Sequence, residues 1–233
     1  MAHPLPARVL KDVGRILRAD PVETPRRFLL TSYAASLFKE ATALLRNGRA
    51  ASSPRVAIAY SIKTNPLPEL LDLARDTGMW AEAITQCEVA HAINHGIAPE
   101  HTVLNGPGKW WPDRVKVAAA YGAIFCDSLQ ELRRLSKLVA SRKLETHCLG
   151  IRLRPATVNS RFGIDLSDPS VFNAVVRALR QLPRGQGAGF HFHMASSMVG
   201  VRTWRYLAEN FITAVQVLTG HIGQRPATIS FGG

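Results

Sequence analysis

The sequence predicts an α/β protein of the (β/α)₈ TIM-barrel type, apparently truncated after its seventh strand. Three observations carry that expectation. From residue 56 onward, short apolar runs alternate with longer amphipathic stretches. The runs are continuously apolar, as strands buried on both faces are. Polar residues gather where the runs end, the rim at which such barrels place their sites. A doubly wound open sheet is the competing architecture, but no GxGxxG opens a first helix.

The elements follow in order. Residues 1–55 stand apart: a polar opening, a strand candidate RRFLLTS (26–32), an amphipathic helix from Tyr33 to Arg46 and the loop GRAASSP (48–54). The barrel proper spans 56–233. VAIAYSI (56–62) reads as its first strand, and Pro66 and Pro68 punctuate entry to a helix through Thr77. MWAEAIT (79–85) is the second strand, with a helix through His95. TVLNG (102–106) is the third, with a helix from Trp110 to Tyr121. AIFCDS (123–128) is the fourth, and QELRRLSKLV carries helical spacing after it. HCLGIRL (147–153) and GAGFHFHM (187–194) are the fifth and sixth; helix 201–218 and a seventh strand, ATISFGG (227–233), close the chain. Seven strands do not complete an eight-stranded barrel, so the pattern leaves open edges and reads as a truncated chain.

Composition narrows the function classes. With 233 residues, 46% of them hydrophobic, the chain can bury a substantial core. No apolar run approaches the roughly 20 residues that span a bilayer. The N-terminus lacks the core and cleavage site of a secretory signal, and Asp12 and Asp20 weigh against an organelle transit peptide. A soluble, cytoplasmic protein is expected, with no membrane partner. Cys87, Cys126 and Cys148 are widely spaced with no CxxC pair, which disfavours a disulfide framework or a zinc knuckle. Cys126 and Cys148 lie in strand-like runs as small hydrophobes, while Cys87 falls in a loop beside the proposed site. The formal charge of +12 raises nucleic acid as a partner, but the arginines are scattered and no basic stripe interleaves with aromatics. The charge equally suits anionic small molecules.

The most informative segment is AYSIKTNP (59–66). A lysine where an apolar strand ends can project its amine into a dry cavity, where desolvation favours the uncharged, nucleophilic form that attacks an aldehyde cofactor. A solvated strand-end lysine is the plainer alternative. The surroundings of Lys63 tip the balance. YSIKTNP is followed in order by AEAITQCEVAHAINHG (81–96), VLNGPGK (103–109), DSLQEL (127–132), GIRLRP (150–155), SRFGID (160–165), GFHFHM (189–194) and ISFGG (229–233). From about residue 24 onward the chain resembles the pyridoxal-phosphate-dependent decarboxylases of diaminopimelate, ornithine and related amino acids, on the alanine-racemase-like barrel.

The resemblance implies roles position by position. Lys63 matches the lysine that holds pyridoxal 5′-phosphate covalently, and His193 the imidazole that stacks on the cofactor ring. Ser196 matches a hydroxyl near the phosphate, and Gly232-Gly233 the start of a glycine-rich phosphate loop, where bare amides approach oxygens. Arg152 matches a barrel-interior arginine near the cofactor; a structural ion pair is its other reading. Glu82 stands where the family usually has aspartate. Glu88 matches a glutamate that serves the site or suits a helix N-terminus. Asn105-Gly-Pro-Gly-Lys109 lacks the Walker frame and matches a mainly structural loop. His193 could instead be a satisfied core histidine. His191 and His193 share a strand face, but no further metal ligands are evident, so no metal is expected.

Other departures point to a divergent branch with an unusual substrate. Gln86-Cys87 replaces a small pair, Ala195 a glycine, Ser230 an aspartate and Arg161 a lysine. The family's eighth strand, with the acidic partner of the pyridine nitrogen, and its C-terminal β domain have no counterpart in the chain. The expected function is decarboxylation of a diamino or basic amino acid, by a homodimer when full length and with this chain inactive alone. A racemase on the same fold is the nearest rival, although TNPLP after Lys63 differs from the racemase pattern. A non-catalytic regulatory homologue is the other.

Overall fold

Seven strands pair side by side, all parallel, in sequence order β1 to β7. They are β1 (Ala59–Ser61), β2 (Trp80–Ala83), β3 (Thr102–Leu104), β4 (Ala123–Cys126), β5 (Cys148–Arg152), β6 (Gly187–His193) and β7 (Thr228–Gly232). The helices are α1 (Ala7–Ala19), α2 (Thr31–Arg46), α3 (Pro68–Asp76), α4 (Gln86–Asn94), α5 (Leu129–Ala140), α6 (Pro169–Arg180) and α7 (Val201–Ile222). The structure, a computed structural model, describes residues 6–19, 28–46, 55–155, 160–183, 186–193 and 200–232.

Alternation along the strands sorts side chains between two environments. Ala81, Ala83, Leu104, Ile124, Cys126, Leu149, Ile151, Phe190 and Phe192 face the helices in the main core. There α7 contributes Leu207, Phe211, Val215, Leu218 and Ile222, one stripe at helical spacing. Val103, Ala123, Phe125 and Cys148 form a second, smaller cluster with Trp80 on the opposite face. On that face β5 and β6 approach so closely that a Cβ on Gly150 would lie 2.1 Å from the Gly189 carbonyl oxygen. The space these glycines leave is taken by Phe125, whose ring would lie 3.0 Å from a Cβ on Gly189, and one step further along Arg152 pairs with His191 and His191 with Ser230.

Three of the helix starts are fixed by a side-chain cap. Thr85 caps α4, Ser128 caps α5 by accepting from the Glu131 N–H, and Asp168 caps α6. Pro68 and Pro169 open α3 and α6, where their missing N–H costs nothing.

Several expectations need correction. The helix expected from Trp110 to Tyr121 is absent; only a single 3₁₀ turn forms, Pro112–Arg114. Beyond it Arg114, Lys116 and Ala118 are exposed while Val115 and Val117 are half-buried against the core, a period of two that belongs to extended chain. Of the strand candidate 26–32, residues 28–30 pair with nothing and Thr31 already begins α2; Arg26 and Arg27 lie outside the described residues. Two further helices are present that the strand-and-helix pattern above does not include. One is α1, within the polar opening, and the other is α6, between the fifth and sixth strands.

Among the described residues β1 pairs only with β2, and β7 only with β6. At the β7 edge Ile229 and Phe231 are 37% and 44% exposed. Trp204 and Phe211 of α7 lean on Phe231 at 5.9 and 5.3 Å between ring centroids. No described helix is long and apolar enough to cross a membrane.

Candidate active site

The C-terminal ends of the strands bring the chemistry together. Lys63 sits just past β1 on a 3₁₀ turn, Ile62–Thr64, anchored by the fully buried Ile62. Three side chains fix the segment around it. Thr64 donates to the Ser61 carbonyl at 2.6 Å, Tyr60 to the Asn65 carbonyl at 2.8 Å, and His91 of α4 meets the Pro66 carbonyl at 2.7 Å. The dry cavity expected around the amine is not what the structure shows, because the Lys63 side chain is 39% exposed. Opposite charge places it instead: Nζ lies 3.8 Å from Glu82 Oε1. Glu82 is steadied by Asn105, whose Nδ2 donates to the same oxygen at 3.2 Å. Asn105 itself is buried, and its Oδ1 has no hydrogen-bond partner.

Across the interior, β6 presents His191 and His193, their rings 6.3 Å apart and only 14° from parallel. His191 is buried, Nδ1 lies 2.9 Å from Ser230 Oγ, and the ring sits 5.3 Å from Phe125. Burial pushes its pKa well below the usual histidine range, helped by the positive charges of Arg152, His193, Lys109 and Lys63. His193 is lowered by the same causes, burial first and then Arg152 and Lys63, with Glu82 opposing. Lys63, Glu82 and Arg152 are thus close enough to His193 to act on its charge. Both shifts favour the uncharged imidazole at neutral pH.

Arg152 pairs with Asp127 at 3.4 Å, and its guanidinium lies over the Phe162 ring at 5.3 Å. The interior ion pair expected of Arg152 is therefore present, and its positive charge acts on both histidines. Glu88 completes a capping box, its carboxylate accepting the Ile84 and Thr85 N–H groups at 2.6 and 3.2 Å. That spends its side chain on the helix start. Cys87 is exposed in the first turn of α4, whereas Cys126 and Cys148 are buried. Gly232 lies opposite His193, and a Cβ there would stand 2.6 Å from His193 Nδ1, so only glycine leaves the imidazole clear. Ser196 and Gly233 lie outside the described residues. Among the described residues no group of three His, Cys, Asp or Glu could hold a metal ion.

The family model for the pyridoxal-binding domain of pyridoxal-dependent decarboxylases matches residues 42–233. The chain belongs to that family. It is 25% identical over 199 residues to a diaminopimelate decarboxylase of Bacteroides thetaiotaomicron, covering 76% of this chain and 50% of the relative. Over 160 residues it is 27% identical to the decarboxylase of L-glutamyl-BtrI acyl-carrier protein from Niallia circulans, covering 64% and 36%. The fold matches the diaminopimelate decarboxylase of M. jannaschii, solved with L-lysine, at a TM-score of 0.71 and 18% identity over 87% of this chain and 48% of that one. The chain spans about half the length of these relatives or less.

The family's cofactor is pyridoxal phosphate, and the residues present fit it. Lys63 offers an amine, His193 an uncharged ring, Asn105 a buried acceptor still unpaired, and Gly232 a backbone that a group can approach. The sequence had singled out the lysine, the histidine and the glycines. It missed the Asn105–Glu82 contact and the Asp127–Arg152 pair, although both Asn105 and Asp127 stand at strand ends. Their position was the available signal.

The low pKa of His191 makes acid stability testable. The unfolded chain takes up a proton near pH 6.5, and the folded His191 only well below that. The unfolded state then binds more protons, so stability present at neutral pH is lost as pH falls through this window. His191→Asn, which keeps a polar group near Ser230, should flatten the slope by up to about 1.4 kcal/mol per pH unit. Urea midpoints between pH 7.5 and pH 5 test this; equal slopes for parent and variant contradict it.

Proposed function

We propose that this chain forms the pyridoxal-phosphate half of a decarboxylase acting on a diamino or basic amino acid. Residues 56–233 serve as the barrel domain and the N-terminal segment leads into it. The observation that carries this reading is the meeting of Lys63, Glu82, Asn105 and an uncharged His193 at one end of the sheet. Pyridoxal phosphate, when bound, supplies the electron sink that lets an α-carboxylate leave as carbon dioxide.

The chain's own residues do the rest. Lys63 provides the amine for attachment, and Glu82 Oε1, 3.8 Å from Nζ, is the carboxylate that can take a proton leaving it. Asn105 stops Glu82 from swinging away. His193 offers a flat, neutral face where a second cation beside Arg152 would be opposed. Gly232, Gly233 and Ser196 are proposed for the phosphate end, and Arg152 for the cofactor's surroundings. Glu88 acts indirectly, by fixing the start of α4 beside the site. The substrate class rests on the diaminopimelate-decarboxylating relative. A cytoplasmic homodimer is the assembly we infer.

The test uses the protein as encoded, with whatever sequence follows residue 233 in its reading frame. It is loaded with pyridoxal phosphate and given carboxyl-labelled diaminopimelate, ornithine, arginine or lysine. Labelled carbon dioxide from at least one supports the reading. Inversion of the α-carbon without gas release identifies a racemase, and cofactor binding with neither reaction identifies a non-catalytic homologue.

A further inference from the structure

The one ion pair with both side chains essentially sealed from solvent, among the described residues, is absent from the chemistry above. Lys109 and Glu131 side chains are 0% and 1% exposed, with Nζ 3.1 Å from Glu131 Oε2. Lys109 also donates to the Gly106 carbonyl, and its own backbone N–H donates to Glu131 Oε1 at 2.5 Å. The second Glu131 oxygen accepts the backbone N–H of Asp127 at 2.7 Å. In an ordinary capping box this glutamate would turn back to the cap residue, Ser128. Here it reaches one residue further, to the aspartate that holds Arg152.

A buried pair of this kind is poor evidence for stability, since apolar residues of similar volume often do as well or better. What an apolar pair cannot do is accept two backbone N–H groups. The loop from Asn105 to Arg114 is also tied to α5 at its far end, where Arg134 donates to the Trp110 carbonyl at 3.0 Å and to Asp113 at 2.9 Å. At its near end Asn105 holds Glu82. The loop therefore meets the site at two points, Glu82 through Asn105 and Asp127 through the Lys109–Glu131 pair, while Arg134 ties down its far end.

We propose that Lys109 and Glu131 are positioning residues: their buried pair fixes the β3 loop against α5 and thereby sets Asp127 and Arg152 beside His193. The inference rests on reading this rim as the active site. Neither residue touches the reacting groups, and both act through Asp127 and Asn105.

The experiment follows the histidine ring signals by NMR against pH, in protein without added cofactor. Four proteins are compared: the parent, Arg152→Gln, Lys109→Met/Glu131→Leu and Lys109→Met/Glu131→Gln. Arg152→Gln calibrates the effect of losing the guanidinium. In the apolar double variant we expect a urea midpoint that recovers most of the parent's stability, with the His193 midpoint raised toward that of Arg152→Gln. The amide variant occupies the same space, keeps one carbonyl acceptor, and shifts His193 in the same direction even if the apolar one fails to fold. A parental His193 midpoint in either folded double variant overturns the proposal. Because no cofactor is needed, failure of the decarboxylase reading would show separately, as absence of covalent labelling at Lys63.

Discussion

Lys63→Ala is expected to abolish covalent capture of pyridoxal phosphate. In the parent, borohydride reduction should fix one pyridoxyl group per chain, located at Lys63 by peptide mass; in the variant none should be found. The rival inside the sheet is Lys109, but it is sealed from solvent, paired with Glu131 and donating to Gly106, so no aldehyde can reach it. Among the described residues, Lys63 alone combines an accessible amine with an adjacent carboxylate able to take a proton. Without that amine, the remaining contacts are Asn105, His193 and the glycine backbone. Affinity should then fall at least about a hundredfold, or roughly 2.8 kcal/mol. A label that persists at another lysine in Lys63→Ala would overturn the assignment.

The same lysine shows why some of this site was legible in the sequence. Lys63, His193 and Gly232 each lie at the end of an apolar run, so the alternation that gave the fold also gave their place on the rim. Their chemistry is local: an amine, a ring, a bare amide. Seven strands in parallel order followed from the same alternation. The loop between β3 and β4 did not, because its conformation is decided by side chains far along the chain. Trp110 through Tyr121 contains enough alanine and lysine to read as helix. Arg134 and Glu131, more than twenty residues on, hold its first part in another shape. Asp127 and Asn105 were visible as polar strand ends but carried no marker of partner, since contacts across strands depend on register rather than on spacing. The missed α6 is different. Asp168-Pro169 is an ordinary helix start, a capping aspartate followed by proline at the first helical position, so this helix was legible from local sequence.

The largest stability effect should come from breaking the buried pair on one side only. Lys109→Met leaves the Glu131 carboxylate in the core with its backbone donors but no counter-charge, a loss of about 3–5 kcal/mol. Glu131→Leu should be as severe, since it strands an ammonium and removes the acceptor for the Lys109 and Asp127 N–H groups. Urea unfolding at pH 7.5 measures each. The combined Lys109→Met/Glu131→Leu protein should recover most of the loss, because both side chains are sealed from solvent beside the buried Cys126, where apolar replacements need no partner. That recovery separates two ideas that single variants confuse. If the pair exists to hold the fold together, the double variant should be weaker than either single one. If it exists to hold Asp127 in place, the double variant regains stability while the Arg152 and His193 arrangement does not return.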